Sequence, residues 1–128
     1  MVMFCAYFRD EYREFIRQLR MNPQLSKSFV VSGFISKPEQ HEYMEKHGLD
    51  YWVCLDKEDK PMGFVGVVHN DLRIAVDPKY RNKGVGSFML KFILGRSRYK
   101  DMKIKVRKTN KDGQVFFTKH KLPFTLVD

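Results

Sequence analysis

Three apolar runs, at residues 51–55, 62–68 and 72–76, lie too close together for helices to join them, and this triplet constrains the fold more than any other feature of the chain. Each run favours a strand. The first gap, 56–60, is charged and turn-like, and Asn70-Asp71 reads as a tight hairpin turn into the third run. Three neighbouring antiparallel strands follow, and such a meander buries its apolar side chains only where other elements cover it.

The flanks supply those elements. Residues 1–8 form a continuous apolar run suited to a buried strand, closed by Asp10 as a helix N-cap candidate. Tyr12, Phe15, Ile16 and Leu19 then repeat at the spacing of one helical face, and Asn22-Pro23 stops that helix. Ser36 and Glu39 have capping-box spacing around Pro38 and open a short second helix that ends near Gly48. After Pro78 a glycine-bearing loop leads into a helix with the apolar face Val85, Phe88, Met89, Phe92 and Ile93. Residues 103–107 read as a strand, 111–119 as a short helix and 122–127 as a last strand. The order β-α-α-β-β-β-α-β-α-β predicts a mixed α/β (α+β) sheet in one domain spanning residues 1–128.

With 128 residues, 43% hydrophobic and 14% aromatic, the chain has the material for a real core. Its longest apolar run, 1–8, is far short of a bilayer span and lacks the flanks of a secretory signal, so a cytoplasmic protein is expected. Cys5 and Cys54 have no Cys-x-x-Cys spacing; reduced, buried thiols are expected, and neither a disulfide framework nor a metal site. The formal charge of +9 is uneven: residues 1–71 carry 9 basic and 11 acidic side chains, whereas residues 72–128 carry 15 and 4, a net of +11. The second half therefore faces something anionic, and nucleic acid, acidic headgroups and a phosphorylated cofactor all suit that field.

The chemistry concentrates in Ile74-Ala75-Val76-Asp77-Pro78-Lys79-Tyr80-Arg81-Asn82-Lys83-Gly84-Val85-Gly86-Ser87. Gly84 and Gly86 stand where a strand has ended and a helix begins, so several backbone N–H groups can converge at the positive end of the helix dipole, a geometry that suits a pyrophosphate. Arg81 and Lys83 add charge beside it. The segment is neither a Walker A loop nor a dinucleotide fingerprint, because the Gly-Lys-Ser/Thr of the first and the third Gly of the second are missing.

Val76-Asp77-Pro78 followed by Tyr80-Arg81-Asn82-Lys83-Gly84-Val85-Gly86 resembles the Arg/Gln-x-x-Gly-x-Gly/Ala acyl-CoA loop of the GNAT superfamily of N-acetyltransferases, and Val106-Arg107-Lys108-Thr109-Asn110 resembles the strand end and Asn that follow it there. The element order matches that fold too. The resemblance implies acetyl-CoA as acetyl donor, with Ile74, Ala75, Val76 and Asp77 along the pantetheine and Arg81, Asn82, Lys83, Gly84, Val85, Gly86 and Ser87 around the pyrophosphate. It also implies a slot opened where the strand 103–107 splays away, and Asn110 and Phe117 near the cofactor.

Departures accompany the match. Many family members place a Tyr seven residues after the motif Asn to protonate the leaving thiolate; Phe117 stands there. In the branch that acetylates ribosomal-protein N-termini a Glu acts as base where this chain has Lys105, and His120-Lys121-Leu122-Pro123-Phe124 replaces the usual Gly-Phe. Asp71 and His69, flanking the turn into the slot strand, become the candidates for taking the amine's proton, each with a plain alternative as a turn residue or a surface imidazole. His41 and His47 lie on the second helix, where they can line an acceptor cleft or simply face solvent, and Trp52 reads as core.

The expected activity is direct transfer of acetyl from acetyl-CoA to a primary amine. The loop 22–37, with Phe29, Val30, Val31, Phe34 and Ile35, would build the acceptor side. Arg20-Met21-Asn22 and residues 35–41 resemble members that acetylate nucleotide-linked amino sugars; a protein N-terminus is the other acceptor considered, and a polyamine fits least because that half has no acidic cluster. A non-catalytic member of the fold that binds acyl-CoA or a partner protein is the alternative. A nucleic-acid module lacks a motif and the interleaved aromatics it needs. Only residues 121–128 follow the last helix, room for one strand, and an apolar edge of that kind predicts a homodimer.

Overall fold

Four strands, one more than the meander predicts, form the central antiparallel sheet of the computed structural model, which describes residues 2–28, 34–96, 99 and 101–128. β1 (Met3–Tyr7), β2 (Tyr51–Asp56), β3 (Pro61–Val68) and β4 (Asp71–Val76) lie in that order. β1 is the addition: it pairs with β2 from 44 residues away, with Cys5 opposite Cys54 and Tyr7 opposite Trp52. A bulge at Cys54/Leu55 shifts the β2–β3 register, and the β3–β4 pairing runs without a break from Gly63↔Val76 to Val68↔Asp71. The last pair moves the hairpin turn one residue back from the expected Asn70-Asp71. His69 (φ 53°) and Asn70 (φ 66°) are its two central residues, both left-handed as a type I′ turn demands.

Helices cover both faces. α1 (Arg13–Met21) and α2 (Lys37–His47) pack on one, burying Ile16, Leu19 and Met44 against Val53, Phe64 and Ala75. Asp10 does not cap α1 as its sequence position suggests; it lies inside the 3-10 turn Asp10–Tyr12 that precedes the helix, and its carboxylate pairs with Arg13 at 2.6 Å. Ser36 does cap α2, accepting from the Glu39 N–H. Arg13, Arg17 and Arg20 recur along the α2 side of α1. Arg13 meets the His41 ring, Arg17 donates to the Ile35 carbonyl at 2.7 Å and holds Glu14, and Arg20 donates to the buried Gln40.

α3 (Val85–Leu94) and α4 (Lys111–Lys119) cover the opposite face, where Met89, Leu90, Ile93 and Phe117 pack on Trp52, Cys54, Val65 and Val67. Phe88, assigned to the apolar face of α3 by its spacing, is instead turned outward. The last two strands are shorter than the sequence suggests. β5 is Lys105–Arg107 and β6 is Thr125–Val127, and they pair in parallel as a separate two-stranded sheet. Of the apolar loop residues between α1 and α2, Phe29, Val30 and Val31 lie outside the described residues, Phe34 is exposed, and residues Pro23–Ser28 form a 3-10 helix.

Candidate functional site

β4 and β5 run side by side in the same direction but are joined at one point only. A single bridge links Asp71 to Lys103, through the Leu72 N–H to the Lys103 carbonyl (2.9 Å) and the Lys103 N–H to the Asn70 carbonyl (2.6 Å). Beyond it no ladder connects the two among the described residues, and β5 pairs with β6 along its other edge. The result is a seam, closed at its root and open toward the carboxyl end of β4.

The hydrogen-bond phase of β4 determines which backbone groups face this seam. The Asp77 N–H bonds the Met62 carbonyl at 2.8 Å, so Asp77, Ala75 and Arg73 direct their peptide groups at β3, and the intervening Leu72, Ile74 and Val76 direct theirs away from it. Leu72 is taken by Lys103. Ile74 and Val76 are therefore the residues whose donors and acceptors line the seam, a strand edge ready for an extended amide-bearing chain.

Past the open end, Asp77 caps the 3-10 turn Pro78–Tyr80 by accepting from the Lys79 N–H, and the chain turns through Asn82 (φ 61°) and Gly84 (φ 81°) into α3. The first helical bond of α3 is Phe88 N–H to the Gly84 carbonyl, so the N–H groups of Gly84, Val85, Gly86 and Ser87 are the donors of a free helix start. A Cβ built on Gly84 would meet no atom within 4 Å. The place a side chain on Gly84 would fill is thus open, beside donors of the kind that bind anions at helix starts. Gly86 has a different reason: a Cβ there would stand 3.3 Å from the Phe116 ring, so this glycine lets α4 close on α3. Arg81 and Lys83 are exposed at the rim, and Arg81 also reaches the Gln24 carbonyl at 3.4 Å. Ser87 Oγ is bonded to His120 Nε2 at 3.0 Å, and the His120 ring rests on Phe116.

The remaining expected residues fall in several places. Asn110 caps α4, its Oδ1 accepting from the Gly113 N–H at 2.9 Å. Phe117 is buried in the α3-side core against Phe116 and Phe124. Asp71 stands at the root of the seam, its carboxylate 3.2 Å from Lys105 Nζ. His69 is at the hairpin tip, 5.4 Å ring to ring from His47, which in turn stacks on Tyr43. The Tyr43 hydroxyl bonds that of Tyr51 at 2.7 Å, and burial pushes the Tyr51 pKa well up. His41 faces Arg13 between the helices, and Trp52 is buried. A hollow of about 270 Å³ between the end of α1 and Asp77 is lined by Phe15, Gln18, Leu19, Asn22 and Pro23.

Arg73, absent from the sequence-derived set, proves to stand on the same face of β4 as Asp71, exposed and directed toward the α1/α2 side. The alternation of apolar Leu72, Ile74 and Val76 is the signal that could have found it. Phe116, the ring that meets Gly86, was likewise hidden behind its neighbour.

A family model described as an acetyltransferase (GNAT) domain matches residues 47–121, more than half of the chain. The fold is shared with spermidine N-acetyltransferase from Vibrio cholerae in complex with CoA and spermine, at 17% identity and a TM-score of 0.78, over 91% of this chain and 78% of that one. Ard1 from Thermoplasma volcanium aligns at 19% identity and TM-score 0.70, over 94% and 82% of the two chains. The ribosomal-protein-S18-alanine N-acetyltransferase from Escherichia coli aligns at 13% identity and TM-score 0.62, over 93% and 76%. No curated protein sequence matches the chain.

Proposed function

The chain belongs to the GNAT acetyltransferase family, and from that premise we propose that it transfers the acetyl group of acetyl-CoA to a primary amine by direct attack, with no covalent enzyme intermediate. The observation that carries this reading is the seam: Ile74 and Val76 direct strand groups into it that take no partner among the described residues, and the helix-start N–H groups of residues 84–87 lie at its open end. Bound acetyl-CoA supplies an activated acyl group whose thiol, with a pKa near that of free cysteine, leaves with little acid assistance.

The protein's own part is mainly positioning. Backbone groups of Ile74 and Val76 hold the pantetheine arm in strand geometry, and the helix start with Arg81 and Lys83 holds the pyrophosphate. A seam N–H of β4 is the donor available to an oxyanion. Asp71, at the root of the seam and within reach of Lys105, takes the amine's proton directly or through water, and His69, turned toward His47, is the lesser candidate. The acceptors to assay first are a nucleotide-linked amino sugar and a peptide N-terminus, in a cytoplasmic setting.

Phe117 and Lys105, standing where relatives have an acid and a base, favour a second reading as a non-catalytic acyl-CoA-binding or protein-interaction module. Calorimetric titration with CoA and turnover with an amine panel separate the two. Micromolar binding with acetyl transfer supports the enzyme, binding without transfer supports the second reading, and no binding removes both. The homodimer expected from the apolar C-terminal edge is tested by sedimentation with and without acetyl-CoA; a 15.3 kDa species in both conditions rules it out.

A further inference from the structure

Several basic side chains stand on the wall of the seam that faces α1 and α2, Arg73 and Lys105 among them. Along β4, Leu72, Ile74 and Val76 pack with the α3-side core while Ala75 packs with the α1/α2-side core, so Arg73 shares the face of Ala75. Along β5, Val106 belongs to the α3-side core, so Lys105 projects to the opposite face, where its ion pair with Asp71 confirms the shared side. Because Asp71 is the residue bridged to Lys103, two steps along each parallel strand bring Arg73 level with Lys105.

Their charge is poorly matched by the protein itself. Arg73 is exposed, and among the described residues no carboxylate pairs with it. Lys105 keeps about half its side-chain surface exposed and spends one donor on Asp71, leaving two. The hollow beside Asp77, past the carboxyl end of β4, takes no lining from Arg73 or Lys105 and supplies them no counter-charge. An amine carrying additional positive charge would meet Arg73 and Lys105 at like sign, whereas an amine with a negative group would complete their pairing.

We infer that the acceptor is an amine that also bears an oxyanion, a carboxylate or a phosphate, held by Arg73 with Lys105 on the α1/α2 side of the seam. This rests on the acetyltransferase reading and narrows it to one substrate class. Arg73 is the specificity-determining group, since its planar fork can take two oxygens of either anion at once.

The test uses matched probes: glycine against glycinamide, O-phosphoethanolamine against ethanolamine, glucosamine 6-phosphate against glucosamine, and spermidine as the polycation. The expected result is a kcat/KM at least tenfold higher for the anionic member of one pair, which also says whether carboxylate or phosphate is the preferred source, with spermidine poorest. Arg73→Gln reduces that preference to within about twofold. Calorimetric titration of the preferred anionic amine into CoA-loaded protein gives the matching loss of affinity without relying on turnover, and CoA titration of each variant serves as the folding and cofactor control. Equal or better turnover of neutral amines or spermidine overturns the inference, as does a preference that survives Arg73→Gln. Protein that binds CoA but neither binds nor acetylates any anionic probe overturns it while leaving the cofactor assignment intact, and failure to bind CoA removes the acetyltransferase reading itself.

Discussion

Replacing Gly84 by Asp and by Asn isolates the electrostatic part of cofactor binding. Both side chains tolerate the left-handed backbone better than other residues, which position 84 requires at φ 81°, and both enter a space with no atom within 4 Å, so the two variants share strain and bulk and differ by one charge. A carboxylate about 6 Å from a phosphate charge, at an effective dielectric of about 40, repels it by about 1.4 kcal/mol. Against a doubly charged pyrophosphate that amounts to about 3 kcal/mol, roughly a hundredfold in Kd. The figure applies at about 0.01 M salt, where the Debye length is about 30 Å; at about 0.15 M, where it is about 8 Å, the gap narrows to roughly tenfold. Isothermal titration with CoA at both salt concentrations reads the ratio directly, and thermal unfolding confirms that the variants fold alike. An Asp-to-Asn ratio within twofold at low salt would refute the placement of the pyrophosphate at this helix start.

Lys121 occupies the left-handed position (φ 58°) of a two-bond C-terminal motif on α4, with its N–H on the Thr118 carbonyl and that of Leu122 on the Phe117 carbonyl. Lys121→Gly is expected to stabilise by about 0.5–1 kcal/mol, roughly 2–4 °C in Tm, relative to Lys121→Ala, which keeps the strain; differential scanning calorimetry showing no gain would contradict it. The Arg17 guanidinium and the Gln18 amide hold the Glu14 carboxyl down at about 2. A depressed folded pKa stabilises above the unfolded value near 4.3 and is lost as pH falls toward 2, so Glu14→Gln should flatten the acid limb of a urea-midpoint-versus-pH curve while the wild type falls steeply. Phe117→Tyr should keep CoA affinity and raise kcat by giving the thiolate a proton donor; unchanged kcat in a folded variant places Phe117 away from the sulfur.

The elements were legible wherever a local rule had no competitor. The Ser36 cap, Pro38 at the helix start and the apolar repeat of α1 each depend on residues within one or two turns. The pairing of β1 with β2 was not, since nothing in residues 1–8 says which of three distant strands they will meet. Asp10 looked like a cap, but Arg13 draws its carboxylate sideways. The hairpin turn slipped by a residue because Asn, Asp and His all accept left-handed backbone, and the unbroken pairing of β3 with β4 decided between them. In the site, the glycines announced the loop, yet Gly86 answers to Phe116, a contact formed only when α4 folds back. Arg73 could be placed on a face by alternation, but its unpaired charge became visible only with β5 beside it.

The half-joined strand has a consequence in time as well as in space. Amide hydrogens of Arg73 and Ala75 point into the β3 ladder, while those of Ile74 and Val76 point into the open seam, so within one six-residue strand the rates of exchange with deuterated solvent should alternate, slow and fast, residue by residue. A cofactor arm laid along β4 would lengthen only the short lifetimes. The strand would then exchange uniformly, as though a seventh strand had been added to the six described, and the molecule would report occupancy of its own cleft through two protons.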